Sequence, residues 1–189
     1  MEKKALVFLA EGFEEVEAVT PIDYLRRAGV DVTITATGEE KTITGSRGIK
    51  IAADTSIAEL EKTGSFNAEL WDAVFVPGGL QGAANLAACA PAGNFYKSMA
   101  AAGKITAAIC ASPAVFLAPL GLLEGKNFTC YPGMEKNVKG GTWLADKVVV
   151  DGNLVTSRAP GTAAAFALAL IKKLVGEEAV KKLTEAALL

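Results

Sequence analysis

Three short stretches carry residue types that could do covalent chemistry. The first is ITAAICASPA, Ile105 to Ala114. ITAAIC reads as a buried strand, Cys110 ends it, and Ser112 and Pro113 punctuate a helix start. A sharp strand-to-helix corner pushes its side chain out over a sheet edge. The positive end of a helix also favours an anion there, which predicts a thiol lowered from its free value of about 8.5 into the range of about 3.5 to 7.5. The backbone N–H groups of Ala111 and Gly79 are then candidates to receive an oxyanion. A small buried hydrophobe fits the same position, as free cysteines often are. Both readings stay open at this point.

The second stretch is the acidic turn EGFEEVEA, Glu11 to Ala18. Glu14 and Glu15 suit the first turn of a helix and read as a solvated face. Glu17 differs, because it follows the tip of the first strand and lies three residues from Glu14. A carboxyl there could face a crevice, be desolvated, stay protonated and shuttle a proton beside a thiolate. The third stretch is VPGGLQGAANL, Val76 to Leu86. Gly78 and Gly79 permit close backbone approach and fit either a tight turn or an oxyanion site. The stretch lacks the Gly-Lys-Ser/Thr of a phosphate loop and the full glycine pattern of a dinucleotide site.

Composition narrows the chemistry further. The chain has no histidine, so its own side chains cannot supply a Cys-His or Ser-His couple, and the commonest transition-metal ligand is missing. Cys89, Cys110 and Cys130 have no metal-type spacing and are expected to be free thiols in a reducing compartment. Nineteen basic residues against twenty-one acidic ones give a net charge of -2, which offers no electrostatic reason to expect nucleic acid. The longest apolar run, AAAFALALI from Ala163 to Ile171, is about half the ~20 residues a bilayer needs. The N-terminal stretch does not read as a signal peptide, so a cytoplasmic protein away from membranes is expected.

The elements that must position these residues alternate. KALVFLA (Lys4 to Ala10), WDAVFVPGG and ITAAIC are continuous apolar runs and predict strands buried on both faces; VDVTITAT alternates and predicts another. Between them, EEVEAVTPIDYLRRAG predicts a helix capped at Gly29 and kinked at Pro21. TSIAELEK predicts a short helix capped by Thr55 or Ser56, AANLAACA and NFYKSMAAAG predict two more, and SPAVFLAPLG a helix behind Cys110. VVVDGNLVTS predicts a hairpin about Asp151-Gly152, and GTAAAFALALIKKLVG a long helix with Thr162 as cap. This order predicts a mostly parallel sheet covered on both faces, with ligands at the carboxyl ends of its strands. One domain over residues 1–189 is expected, with the site where Ala10-Glu11-Gly12, Pro77-Gly78-Gly79 and Cys110 converge.

Taken together, ALVFLAEGFEEVEAVTPIDYLRRAG, SRGIKI, VFVPGGLQGAANL, AAICASPAVFLA and VTSRAPGTAAAFALALI resemble the ThiJ/PfpI superfamily, in its DJ-one branch and that branch's bacterial members. The resemblance runs from Lys4 to about Val175. It implies an α/β flavodoxin-like three-layer sandwich with a C-terminal β-hairpin, a homodimer, a reactive cysteine at Cys110 and a partner glutamate at Glu17. It places backbone donors at Gly78, Gly79 and Ala111. It also implies an anion pocket bordered by Arg27, Arg47 and Arg158, with Arg27 reaching across the dimer, although each arginine equally fits a surface ion pair. Two departures matter. Ala111 stands where the proteolytic branch carries histidine, so a protease is not expected. Tyr131, in CYPG, stands where the DJ-one protein has histidine, and is expected to replace its hydrogen bond over the site. Cys130 beside it is expected to pack in the core, and a further family cysteine is replaced by Ala52.

The function this implies is glyoxalase or deglycase-type chemistry on 2-oxoaldehydes or their adducts, cysteine-dependent and without cofactor or metal, in defence against oxidative and carbonyl stress. The alternative is a non-enzymatic redox-sensing cysteine protein or a redox-regulated chaperone.

Overall fold

The apolar runs lie side by side in one sheet in the computed structural model, which describes residues 2–189. In chain order the strands are β1 (Lys4–Leu9), β2 (Asp31–Ala36), β3 (Thr42–Thr44), β4 (Lys50–Ala52), β5 (Thr55–Ser56), β6 (Ala73–Val76), β7 (Ile105–Ile109), β8 (Asn127–Phe128), β9 (Thr142–Trp143), β10 (Val148–Asp151) and β11 (Leu154–Ser157). The helices are α1 (Glu15–Arg27), α2 (Ile57–Lys62), α3 (Leu80–Ala87), α4 (Ala90–Ala101), α5 (Ala163–Leu174) and α6 (Glu177–Ala187). Seven strands form the main sheet in the order β10-β11-β7-β6-β1-β2-β5. All its pairings are parallel except β10 with β11, the hairpin about Asp151-Gly152.

The central strands are apolar throughout because both sheet faces are covered. Along β6, Phe75 enters one core with Leu9, Leu25, Phe166 and Leu170, beneath α1 and α5. Val74 and Val76 enter the other with Phe8, Tyr96, Met99 and Phe116, beneath α3 and α4. The result is the expected flavodoxin-like α/β sandwich. α5 buries one face: Phe166, Ala167, Leu170, Ile171 and Leu174 are enclosed, while its two lysines lie at the exposed end. No helix among the described residues is long and apolar enough to cross a membrane.

Local signals explain most element ends. Ser56, not Thr55, caps α2, through a capping box with Glu59. Glu14 caps α1 by accepting the N–H of Glu17 at 2.8 Å. The helix runs through Pro21, whose missing N–H deprives the Glu17 carbonyl of its helical donor. One expectation fails. Instead of a full helix behind Cys110, the chain makes a single wide π-type turn, Pro113–Leu117. The N–H of Ala118 reaches back five residues to the Pro113 carbonyl at 3.0 Å, and Pro119 then has no N–H with which to continue.

Candidate active site

β1, β6 and β7 are neighbours, so the three loops at their carboxyl ends meet. Glu14 donates its N–H to the Gly78 carbonyl at 3.0 Å, and Gly82 donates to the Gly12 carbonyl at 3.1 Å. These bonds tie the β1–α1 loop to the β6–α3 loop. Ser112, fully buried, donates its hydroxyl to the Pro77 carbonyl at 2.6 Å and ties in the corner after β7.

Cys110 is at that corner with φ +65°, a left-handed conformation that costs a residue with a Cβ about 1–2 kcal/mol. The surroundings enforce it. Its N–H continues the ladder to the Ser157 carbonyl at 3.0 Å, and its own carbonyl accepts the N–H of Tyr131 at 2.8 Å. Such strain survives only where neighbours over-determine the backbone, and it turns the thiol across the sheet edge.

Glu17 reaches the same point from the first turn of α1 and is 0% exposed. Its Oε2 accepts the N–H of Gly78 at 2.8 Å. Its Oε1 is buried with no partner of ordinary hydrogen-bond geometry, and the Cys110 thiol is the polar side chain that the carboxyl faces. Burial pushes the Glu17 carboxyl up to about 7, with the charge of Glu14 adding to the effect against the pull of the thiol and of the Gly78 N–H. Gly78 has to be glycine here, because a Cβ would stand 2.6 Å from the Cys110 Cβ and 2.7 Å from Glu17 Oε2. Gly79 follows at φ +82°, pressed against the Gly12–Glu14 backbone.

The thiol departs from the expectation of a lowered pKa. Burial pushes Cys110 up, the Glu17 charge pushes it further, and only the N–H groups of Gly79 and Ala111 pull it down. The physical reason is burial beside a carboxyl, with Cys110 only 9% exposed, and the five-residue turn behind it supplies no long helix to offset this. The pair is best described together. One proton leaves it near neutrality, and loss of the second would set two negative charges side by side in a dry site. The carboxyl is the group that ionises first, and the amides of Gly79 and Ala111 offset part of the cost of charge on sulfur when the thiol's proton passes to it.

The other expected residues lie at graded distance from this centre. Arg158 directly follows β11, beside the corner, and donates to the Ala145 carbonyl at 3.0 Å. Tyr131 contributes its backbone N–H to Cys110 while its side chain is exposed. Cys130 is fully buried in the α3–α4 core, where burial pushes its thiol up to about 12. Arg47 is exposed on the turn between β3 and β4. Arg27 lies in the last turn of α1, paired with Asp23 at 2.6 Å, and within one chain it does not reach Cys110.

Glu15 was read as a solvated face and is not one. It is 4% exposed and accepts the N–H of Arg47 at 2.6 Å, the hydroxyl of Ser46 at 3.2 Å and the N–H of Ile49 at 3.4 Å. Burial raises this carboxyl and the three donors outweigh it, leaving it below its ordinary value. Only the glycine at position 45, against which the carboxylate lies, hinted at this in the sequence.

The family model described as DJ-1/PfpI matches residues 3–173. Protein DJ-1 homolog B of Arabidopsis thaliana is 41% identical over 183 residues, 97% of this chain, and the chain spans only 40% of that relative's length. The glutathione-independent glyoxalase DJR-1.2 of Caenorhabditis elegans is 32% identical over 96% of this chain and 94% of the relative. The crystal structure of Drosophila melanogaster DJ-1beta superposes with a TM-score of 0.92 at 39% identity, covering 100% of this chain and 99% of the other.

Proposed function

The chain belongs to the DJ-1/PfpI family, and from that premise we propose that it is a cofactor-free, cysteine-dependent glyoxalase or deglycase acting on 2-oxoaldehydes or their adducts. The observation that carries this reading is the buried Glu17 carboxyl, pushed up to about 7 beside the Cys110 thiol. A relative named as a glutathione-independent glyoxalase supports it.

The proton inventory of the pair suits the reaction. Cys110 sulfur attacks the aldehyde carbon of methylglyoxal, and the carbonyl electrons move onto oxygen beside the Gly79 and Ala111 N–H groups. Glu17 gives its proton to that oxygen and is left a carboxylate. As a carboxylate it takes the hydrogen of the former aldehyde carbon as a proton and delivers it to the adjacent carbon, while the hydroxyl proton of the first oxygen passes to the second, which leaves a hydroxyacyl thioester. Water attacks the thioester, the C–S bond breaks, and lactate and the thiol are released. Water is the only molecule added, and nothing is oxidised or reduced overall. Gly78 orients the Glu17 carboxyl throughout.

Lactate production from methylglyoxal by the wild type, Cys110→Ala and Glu17→Gln tests the proposal. Equal production by all three discards it.

A homodimer belongs to the same reading. Val16 and Val19 on α1 and Ile49 beside it are exposed apolar side chains bordering the site, and Arg27 can reach a Cys110 only from a second copy. Gel filtration at several concentrations should show a dimer, and a stable monomer would remove Arg27 from the site.

A redox-sensing role is the second reading, favoured by the two N–H donors aimed at sulfur and the protonated carboxyl beside it. Peroxide would take the thiol to sulfenic and then sulfinic acid while being reduced to water. Peptide mass spectrometry after mild peroxide should find Cys110 modified. Modification confined to Cys89 or Cys130 would end this reading.

A further inference from the structure

Ser112 lies two residues beyond Cys110, on the corner after β7, and is 0% exposed. It touches no reacting atom, yet its hydroxyl makes a short bond to the Pro77 carbonyl at 2.6 Å. That carbonyl belongs to the same peptide group as the Gly78 N–H, which Glu17 Oε2 accepts at 2.8 Å. One planar unit is therefore gripped at both ends, on its oxygen by the loop of the sulfur and on its nitrogen by the acid. The next peptide group is gripped the other way round. Its Gly78 carbonyl accepts the N–H of Glu14 at 3.0 Å, from the start of the acid's helix, and its Gly79 N–H favours charge on the Cys110 sulfur. Each reacting group is thus served by an N–H whose carbonyl is held from the other group's loop.

Gly78 and Gly79 have no side chains with which to fix these planes, so their orientation comes from partners. Because the peptide is planar, a bond at its oxygen sets the direction of its N–H. A carbonyl that accepts a hydrogen bond also polarises its peptide and makes the N–H a stronger donor. We propose that Ser112 is a positioning residue for Glu17: by holding the Pro77 carbonyl it aims and polarises the Gly78 N–H, and so stabilises the charge left on Glu17 when the carboxyl gives up its proton. This rests on the pairing of Glu17 with Cys110 proposed above, and not on any particular substrate.

The test separates a positioning hydroxyl from one that merely satisfies a buried carbonyl. In protein isotope-labelled at the glutamate carboxyl carbons, the NMR resonance of Glu17 is identified by its loss in Glu17→Gln and followed against pH. A hydrogen bond to the carboxylate favours the charged form, so weakening it raises the midpoint. Ser112→Ala should move the Glu17 midpoint upward by about half a pH unit. The kcat/KM profile for methylglyoxal should move with it, with kcat falling and KM unchanged. Tyr96→Phe deletes a buried hydroxyl bond of the same kind, from Tyr96 to the Ala107 carbonyl at 2.8 Å, away from this peptide. It should lose stability and leave the midpoint where it is. Ser112→Cys keeps a weaker donor in a similar volume; it should shift the midpoint in the same direction as Ser112→Ala, and decides the matter where alanine does not fold.

A midpoint unmoved or lowered in a Ser112 variant that is folded by circular dichroism overturns the proposal. So does a midpoint that Tyr96→Phe raises equally, since the shift would then follow lost stability and not the Pro77 peptide. Because the titration needs no turnover, absence of lactate formation would discard the enzymatic reading and leave this result standing.

Discussion

Glu17 accepts the N–H of Gly78, sixty-one positions away in the chain, at 2.8 Å through one carboxyl oxygen, and its carboxyl lies beside the Cys110 thiol. This bond aims the carboxyl. It also sets Gly78 where a side chain cannot fit, so two loops that carry no reacting atom between them fix the distance between acid and sulfur. Burial then does the electrostatic work. It raises both groups, so at neutral pH the carboxyl shares a proton that it would have lost entirely in water.

The first prediction concerns rate against pH. Below the first ionisation of the pair neither group is charged, and above it the Glu17 carboxylate can take the thiol's proton as sulfur attacks. The value of kcat/KM for methylglyoxal should therefore rise through about 7 and level off. Glu17→Gln should lose about 100-fold or more, the scale of a positioned acid–base group, together with the inflection. A wild-type profile flat from pH 5.5 to 8.5 would contradict the shared proton.

The second concerns stability, with the sign opposite to that of most carboxylates. The folded Glu17 value lies above the ordinary 4.5, so the native state binds more protons than the unfolded chain between 4.5 and about 7. The stabilisation is complete below 4.5 and lost as pH rises through about 7. A 2.5-unit difference at 1.36 kcal/mol per unit gives about 3 kcal/mol in all. Asp72 and Glu15 are lowered, so their opposite contributions fall at more acidic pH. Urea titrations at pH 5 and 8 should show the wild type losing about 2–3 kcal/mol relative to Glu17→Gln. A pH-independent difference between the two would remove the buried acid.

The third is Gly78→Ala. Its Cβ would meet Cys110 Cβ at 2.6 Å and Ala111 N at 3.0 Å, neither of which can move without opening the corner. Overpacking of this kind costs about 1–3 kcal/mol, and the displaced carboxyl should cost lactate formation at least tenfold even where the variant is folded. Near-wild-type activity with intact stability would mean that the spacing of acid and sulfur is not set by Gly78.

Much of this was legible in the sequence, for identifiable reasons. Continuous apolar runs such as Ala73–Val76 can only be central strands covered on both faces, and Asp151-Gly152 can only be a tight turn between Val150 and Leu154. Cys110 and Glu17 stood out because each follows a strand tip. What sequence could not give is environment. Glu15 and Glu17 are two residues apart on one helical turn, both buried, and one is lowered while the other is raised. The difference lies in partners thirty and sixty positions away. The thiol was misjudged for a similar reason: Ser112-Pro113 looks like a helix start, but Pro119 cuts the helix to one turn and takes the expected dipole with it.

The last prediction isolates the strain at the corner from the chemistry. Cys110→Ala and Cys110→Gly both delete the thiol and both abolish its reactions, so activity cannot distinguish them. They differ in the backbone. Alanine at φ +65° pays the left-handed penalty of about 1–2 kcal/mol, while glycine adopts that conformation freely but gives up more freedom on folding. The net should favour Cys110→Gly by about 0.5–1 kcal/mol in urea titration, the reverse of the usual order at a strand end. If Cys110→Ala is the more stable, the corner is relaxed. The three bonds made by Cys110 N–H, Tyr131 and Ser112 would then merely accompany the position of the sulfur, and the thiol would owe its place to β7 alone.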